Sequence, residues 1–216
     1  MVIGDIYSTI KNGDLKIMSK LKNRKVKVRF VNTGFELYAG YANIVSGKVK
    51  DKLKPSIFDV GFIGEGKYTA RDKTGIIRAY QTWHGVIERS YSSEFHKNNP
   101  TYKNCSVCEE WHNFQNFAKW FYDNYPNDDL KYELDKDIKV EGNKVYSPDT
   151  CLFVTKKENL RKAHLKNHAF TSPDGLLVKV SDLVGFCEER NLNYRSMARV
   201  SLGVVKKHRN WTIGKV

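Results

Sequence analysis

The sequence predicts an α+β chain in three parts. A small basic β region spans residues 1–75. A strand–turn–strand–helix domain with two supporting helices spans 76–168, and a C-terminal helix-turn-helix spans 169–216. Three observations predict it. "KVKVRF" alternates apolar and basic residues with period two. Aromatic residues recur at helical spacing between 78 and 125. After "SPDG" the pattern changes to two short amphipathic segments ending in a basic tail.

In "KVKVRFVNTGFELYA", Val26, Val28 and Phe30 alternate with Lys25, Lys27 and Arg29, and the pattern resumes after "NTG". That reads as a hairpin with one basic face. Such a face lies along phosphates or is ordinary solvated surface. "VGFIGEGKYTARD" places Gly61, Gly66 and Lys67 as G-x-x-x-x-G-K. A phosphate loop needs Ser or Thr next, to hold magnesium, and here the residue is Tyr68. No helix is predicted to open behind it, so the segment reads as a glycine-rich strand and turn.

"RAYQTWHGVIERSY" places Tyr80, Trp83, Ile87 and Tyr91 on one helical stripe. "EEWHNFQNFAKWFYDNY" places Trp111, Phe114, Phe117, Ala118, Phe121 and Tyr125 on another, stopped by Pro126. These stripes predict two helices packed together, with "SSEFHKNNPTYKN" as a polar loop between them. "YELDKDIKV", the turn "EGNK" and "VYSPDTCLFVT" read as a β-hairpin, and "KKENLRKAHLKNH" as the helix after it. In the last part Ser181 is the expected cap of a helix with Leu183, Val184, Phe186 and Cys187 inward. "NLN" turns the chain and "YRSMARVSLG" forms a second helix. Its Arg195, Ser196 and Arg199, with Lys206, Lys207, His208 and Arg209 of the tail, are the candidate DNA contacts. A helical hairpin that only packs on the body is the competing reading.

Lys and Arg total 37 against 24 Asp and Glu, giving a net charge of +13, and the sequence pI is about 9.5. That balance points to nucleic acid as partner. "MVIGDIYSTIKNG" lacks a basic segment followed by an apolar one, and no apolar run is long enough for a bilayer, so a soluble intracellular protein is expected. Four cysteines do not suggest a disulfide scaffold. Cys105 and Cys108 form one CxxC. Zinc would need further ligands, with His112 and Cys151 the nearest in sequence, and buried thiols are the simpler reading.

The stretch "LDKDI", "GNK", "CLFVT", "EN", in that order, resembles the HNH nuclease motif, the ββα-metal finger of phage and intron homing endonucleases. The segment from "YQTWHGVIERSY" to "CLFV" is similar to tailed-phage proteins of HNH type or related to the plant APETALA-type DNA-binding domain. The tail resembles the nuclease-associated modular helix-turn-helix of the same endonucleases. Together these cover residues of about 76 to 211.

The resemblance implies a metal-dependent DNA endonuclease of phage homing type, acting on duplex DNA in the cytoplasm of an infected bacterium. The alternative is a non-catalytic DNA-binding protein on a degenerate HNH scaffold. Magnesium takes oxygen ligands, one or two of them from protein. The family-matched ligands are Asp135 and Asn159, with Asp137 as a further one. The family's general base is a histidine beside the metal-binding acid. Here Lys136 or Asp135 takes that place, depending on register, and the family's middle asparagine is Thr150. His164, beyond Asn159, is the remaining candidate base or ligand. A salt-bridged hairpin explains the same two aspartates without a metal. The sequence leaves the oligomeric state open, with a monomer slightly favoured.

Overall fold

A computed structural model describes residues 1–19, 24–163 and 165–214. The chain is of mixed α+β type and forms two compact units. One is Met1–Pro126 with Lys136–Leu152; the other is Asn127–Asp135 with Phe153–Val216.

The first unit begins with a four-stranded antiparallel sheet in the order β1 (Ile6–Ser8), β2 (Asp14–Ile17), β3 (Lys25–Phe30), β4 (Glu36–Gly40), followed by helix α1 (Tyr41–Val45). Period two puts Leu15, Ile17, Val26, Val28 and Phe30 on one face, and all are fully buried in a core that also holds Phe35, Ala39, Ile44 and Val49. Each such side chain contributes about 1.5–3 kcal/mol of burial. The opposite face is less purely cationic than the sequence implied. Glu36 ion-pairs with both Lys27 and Arg29 across the β3–β4 register.

A glycine-rich segment follows, then the small hairpin β5 (Arg71–Asp72) and β6 (Gly75–Ile76). The two aromatic-striped helices form, but the second begins later than expected: Trp111 sits on a separate 3-10 turn, Glu109–His112, and the helix starts at Phe114. Helix α2 (Arg78–Tyr91) buries Trp83, Val86 and Ile87. Helix α4 (Phe114–Asn124) buries Phe114, Phe117, Ala118 and Phe121, and Asn113 caps it by accepting from the Gln115 amide. They pack through Trp83 against Phe114, ring centroids 5.4 Å apart, while Trp83 Nε1 donates to the Trp111 carbonyl at 2.7 Å. The segment between them departs from the expected loop. It holds α3 (Ser93–Asn98), a 3-10 turn at Pro100–Tyr102 and strand β7 (Ser106–Val107). Ser92 caps α3 by accepting from the Phe95 amide, and Glu94 complements its N-terminus.

In the second unit, β8 (Tyr132–Asp135) pairs with β10 (Leu152–Thr155), and α5 (Lys156–Ala163) follows at once. The expected hairpin is corrected here. The "GNK" turn does not close it, because β9 (Val145–Tyr146) pairs instead with β7, in parallel, inside the first unit. Asp137 therefore follows the end of β8 rather than sharing its face with Asp135. Gly142 turns the loop with a positive φ of 73°.

The C-terminal part of this unit carries more strand than the sequence suggested. The Pro–Asp–Gly turn joins β11 (His168–Thr171) to β12 (Leu177–Val180), and β13 (Lys207–His208) and β14 (Trp211–Ile213) complete an antiparallel sheet in the order β12-β11-β14-β13. Helices α6 (Leu183–Glu189) and α7 (Tyr194–Ser201) share a core with it, in which Phe170, Met197 and Val200 are fully buried. The cap of α6 is Asp182, accepting from the Gly185 amide at 3.0 Å, not Ser181.

Candidate nuclease and DNA-binding site

In the second unit the β8–β10–α5 element is organised from its corners. Thr155 opens α5 and Glu158 closes a reciprocal cap on it. Glu158 Oε2 accepts from the Thr155 amide and hydroxyl at 2.8 Å each, and Thr155 Oγ1 accepts from the Glu158 amide at 3.2 Å. Those hydrogen bonds hold the Glu158 carboxyl below the usual range. Glu158 of "KKEN" is thus a capping residue, and the next position, Asn159, is placed by it. Asn159 Nδ2 donates to Glu133 Oε2 at 2.9 Å. Glu133 and Asp135 stand two apart on β8 and so share a face. The face carrying Asp135 is therefore the one whose acid reaches Asn159.

Glu133 was not singled out in the sequence, although its period-two spacing from Asp135 was there to be used. The donor set suits a hard cation. Two carboxylates and an amide oxygen are the ligand types magnesium takes, and it needs only one or two from protein. Among the described residues no group of three or more His, Cys, Asp or Glu is arranged to hold a metal. His164 lies outside the described residues.

In the first unit, Lys136 is 6% exposed. Its Nζ donates to the Asp137 carboxylate and, at 3.0 Å, to the Asn143 carbonyl. Asn143 Nδ2 returns a bond to the Lys136 carbonyl at 2.9 Å. The ammonium stands 5.7 Å from the centre of the Tyr146 ring, and Arg89 Nε donates to the Tyr146 hydroxyl at 3.2 Å. Burial pushes the Tyr146 phenol up to about 12. Lys136 is a donor throughout, and an ammonium has no lone pair to take a proton. Asn143 ties the loop to its own start. Thr150 closes the next turn, donating to the Val145 carbonyl at 2.7 Å.

The C-terminal residues divide into two groups. Arg195, Arg199, Lys206 and Lys207 are exposed, and Ser196 is half-buried beside the Asn193 cap of α7. His208 and Arg209 brace the turn between α6 and α7. His208 Nε2 accepts from the Asn193 amide at 3.3 Å, and Arg209 donates to the Asn191 carbonyl at 2.8 Å. Cys105 and Cys151 are buried and Cys108 half-buried, none of them in a disulfide, with burial pushing Cys108 up. His112 Nε2 lies 3.1 Å from the Val107 carbonyl and 3.3 Å from the Tyr91 hydroxyl.

No family model matches the chain, and no curated protein matches it. Among solved structures it is similar to the HNH homing endonuclease I-HmuI, whose structure is described as showing DNA binding and cleavage. The likeness has a TM-score of 0.22 and 18% identity, over 45% of this chain and 64% of that one, so less than two thirds of that chain is spanned. So loose a superposition brings no residue correspondence with it. No helix among the described residues is long and apolar enough to cross a membrane.

Proposed function

We propose that the chain binds duplex DNA and cuts or nicks it with a divalent ion held by Asp135 and Asn159. One observation carries this reading: a face of β8 bearing two carboxylates, one of them hydrogen-bonded to Asn159, in a chain of net charge +13. So basic a surface gathers phosphate but cannot bind a cation. An acid must be set within it for that. Bound there, magnesium would stabilise charge developing on the scissile phosphate. Asp135 supplies the anionic ligand from a strand, and Asn159 a neutral oxygen from the helix behind it. Glu133 orients the Asn159 amide so that its oxygen, rather than its NH2, is the atom presented. Arg195 and Arg199 on α7, with Lys206 and Lys207, hold the duplex by its phosphates and base edges.

The test is conversion of supercoiled plasmid by purified protein with Mg²⁺, against EDTA. Asp135→Ala abolishes cutting and leaves DNA affinity equal or higher, because a repulsive charge is lost. If a folded Asp135→Ala protein still cuts, the site assignment is wrong. A second reading, DNA binding without catalysis, is favoured by Lys136. The residue at the place of the family's histidine is buried and donates hydrogen bonds. A wild type that binds duplex but fails to cut it under every divalent metal supplied establishes that reading.

A further inference from the structure

The G-x-x-x-x-G-K segment, Gly61 to Lys67, is held in a defined shape. It is fastened to the start of α4 by the Gln115 side chain. Gln115 accepts from the Tyr68 amide at 3.0 Å and donates to the Tyr68 and Ile63 carbonyls at 2.9 and 3.1 Å. A Cβ on Gly66 would lie 2.3 Å from Gln115 Oε1, and one on Gly64 would lie 1.9 Å from Asn113 Oδ1. Both glycines are therefore needed for the close approach. The fixed loop presents Tyr68, whose ring stacks on Tyr122 of α4 with centroids 5.4 Å apart and planes 20° from parallel.

Both rings line a cleft of about 530 Å³, with Lys67 and Thr69 on its rim. Tyr122 is 53% exposed, and the Lys67 ammonium stands 5.1 Å from the Tyr68 centroid. Asp72 and Asp123 also line the cleft, and each already has a partner. Asp72 accepts from the Thr74 amide and hydroxyl at 2.7 and 2.6 Å, and Asp123 pairs with Lys119 at 2.6 Å. Exposed Lys67, Arg71 and Lys73 give the segment a cationic balance.

We propose that the Tyr68–Tyr122 platform is a binding site for an unpaired nucleobase of single-stranded nucleic acid, with Lys67 on the adjoining phosphate. A stacked aromatic pair with Tyr122 exposed and Tyr68 half-buried, beside an exposed cation, offers what a base and its phosphate require, and such stacking tolerates any sequence. The proposal extends the nucleic-acid reading above to a strand that is not paired.

Fluorescence anisotropy with a labelled single strand of about 20 nucleotides, and with its duplex, tests it. Tyr122→Ala should weaken single-strand binding about tenfold and change duplex binding little, while Tyr122→Phe retains the affinity. Lys67→Ala should reduce the slope of log K against log salt on the single strand by about 0.7. An unchanged thermal melt of Tyr122→Ala shows that the fold is kept. Equal weakening on both substrates, or no change on the single strand, overturns the proposal. If the wild type ignores duplex yet shows this pattern, the nuclease reading fails and the platform stands. If duplex is cut as proposed while Tyr122→Ala leaves single-strand affinity unmoved, the platform alone falls.

Discussion

Glu133 and Lys136 sit three positions apart with opposite expected behaviour under mutation. Glu133 holds Asn159 by one hydrogen bond. Glu133→Ala should lower metal-dependent cutting about 10–100-fold, as loss of an orienting partner does, with the melting temperature nearly unchanged. A surface acid without that role would leave the rate as it was, and plasmid cutting under saturating Mg²⁺ distinguishes the two. Lys136 is the reverse case. Its removal strands the Asn143 carbonyl and opens a buried site, so Lys136→Ala should cost about 1–3 kcal/mol in a urea melt. Cutting per folded molecule should survive, because Lys136 serves as a donor and not as a base. The sequence showed Asp135, Lys136 and Asn159 as residues of interest, but not what each touches. Lysine beside two aspartates looks like a solvated ion pair on paper. Only the fold of the 136–146 loop, which turns Asn143 and Tyr146 onto the lysine, buries its ammonium while Asp137 stays half-exposed.

Helix caps hold the short elements of the second unit together. Asp182 caps α6 and also pairs with Arg161 of α5, whose Nε donates to it at 2.9 Å. The Arg161 hydrogen bond holds the Asp182 carboxyl below its usual value. The unfolded chain therefore takes up the proton first as pH falls. The stabilisation is full above the ordinary aspartate value near 4, and is lost as pH drops through the lower folded value. Asp182→Asn keeps a capping oxygen and removes the charge, so it should flatten that acid limb in thermal melts recorded from pH 6 downward. If the limb is as steep as in the wild type, other carboxylates cause it. At this scale legibility followed length and periodicity. The α2 and α4 stripes and the β3–β4 alternation were readable because many residues repeat one pattern. Strands β7, β9 and β13 are two residues long, too short for any period to register. The choice of Asp182 over Ser181 turned on where the first helical residue falls, and both are good capping types.

Across the whole molecule the excess of cations predicts steep salt dependence. Affinity for duplex should fall on the order of 10³-fold or more between about 50 and 200 mM salt if many phosphates are contacted. A flat response in a filter-binding titration would remove the nucleic-acid reading altogether. The double substitution Arg195→Ala with Arg199→Ala should reduce preference for a specific site by more than it reduces nonspecific affinity, which competition with unrelated DNA measures. The order of the units along the chain has a consequence for biogenesis. Lys136–Leu152 belongs to the first unit, yet it is spliced into the second between Asp135 and Phe153. A ribosome that has released Pro126 has not finished the first unit: β7 still lacks β9, and Arg89 still lacks Tyr146. Nor has the second unit its β8–β10 pair until translation passes Thr155. Neither half can mature as a separate piece, and a protease nick near 126 would leave two fragments that must reassociate to be native.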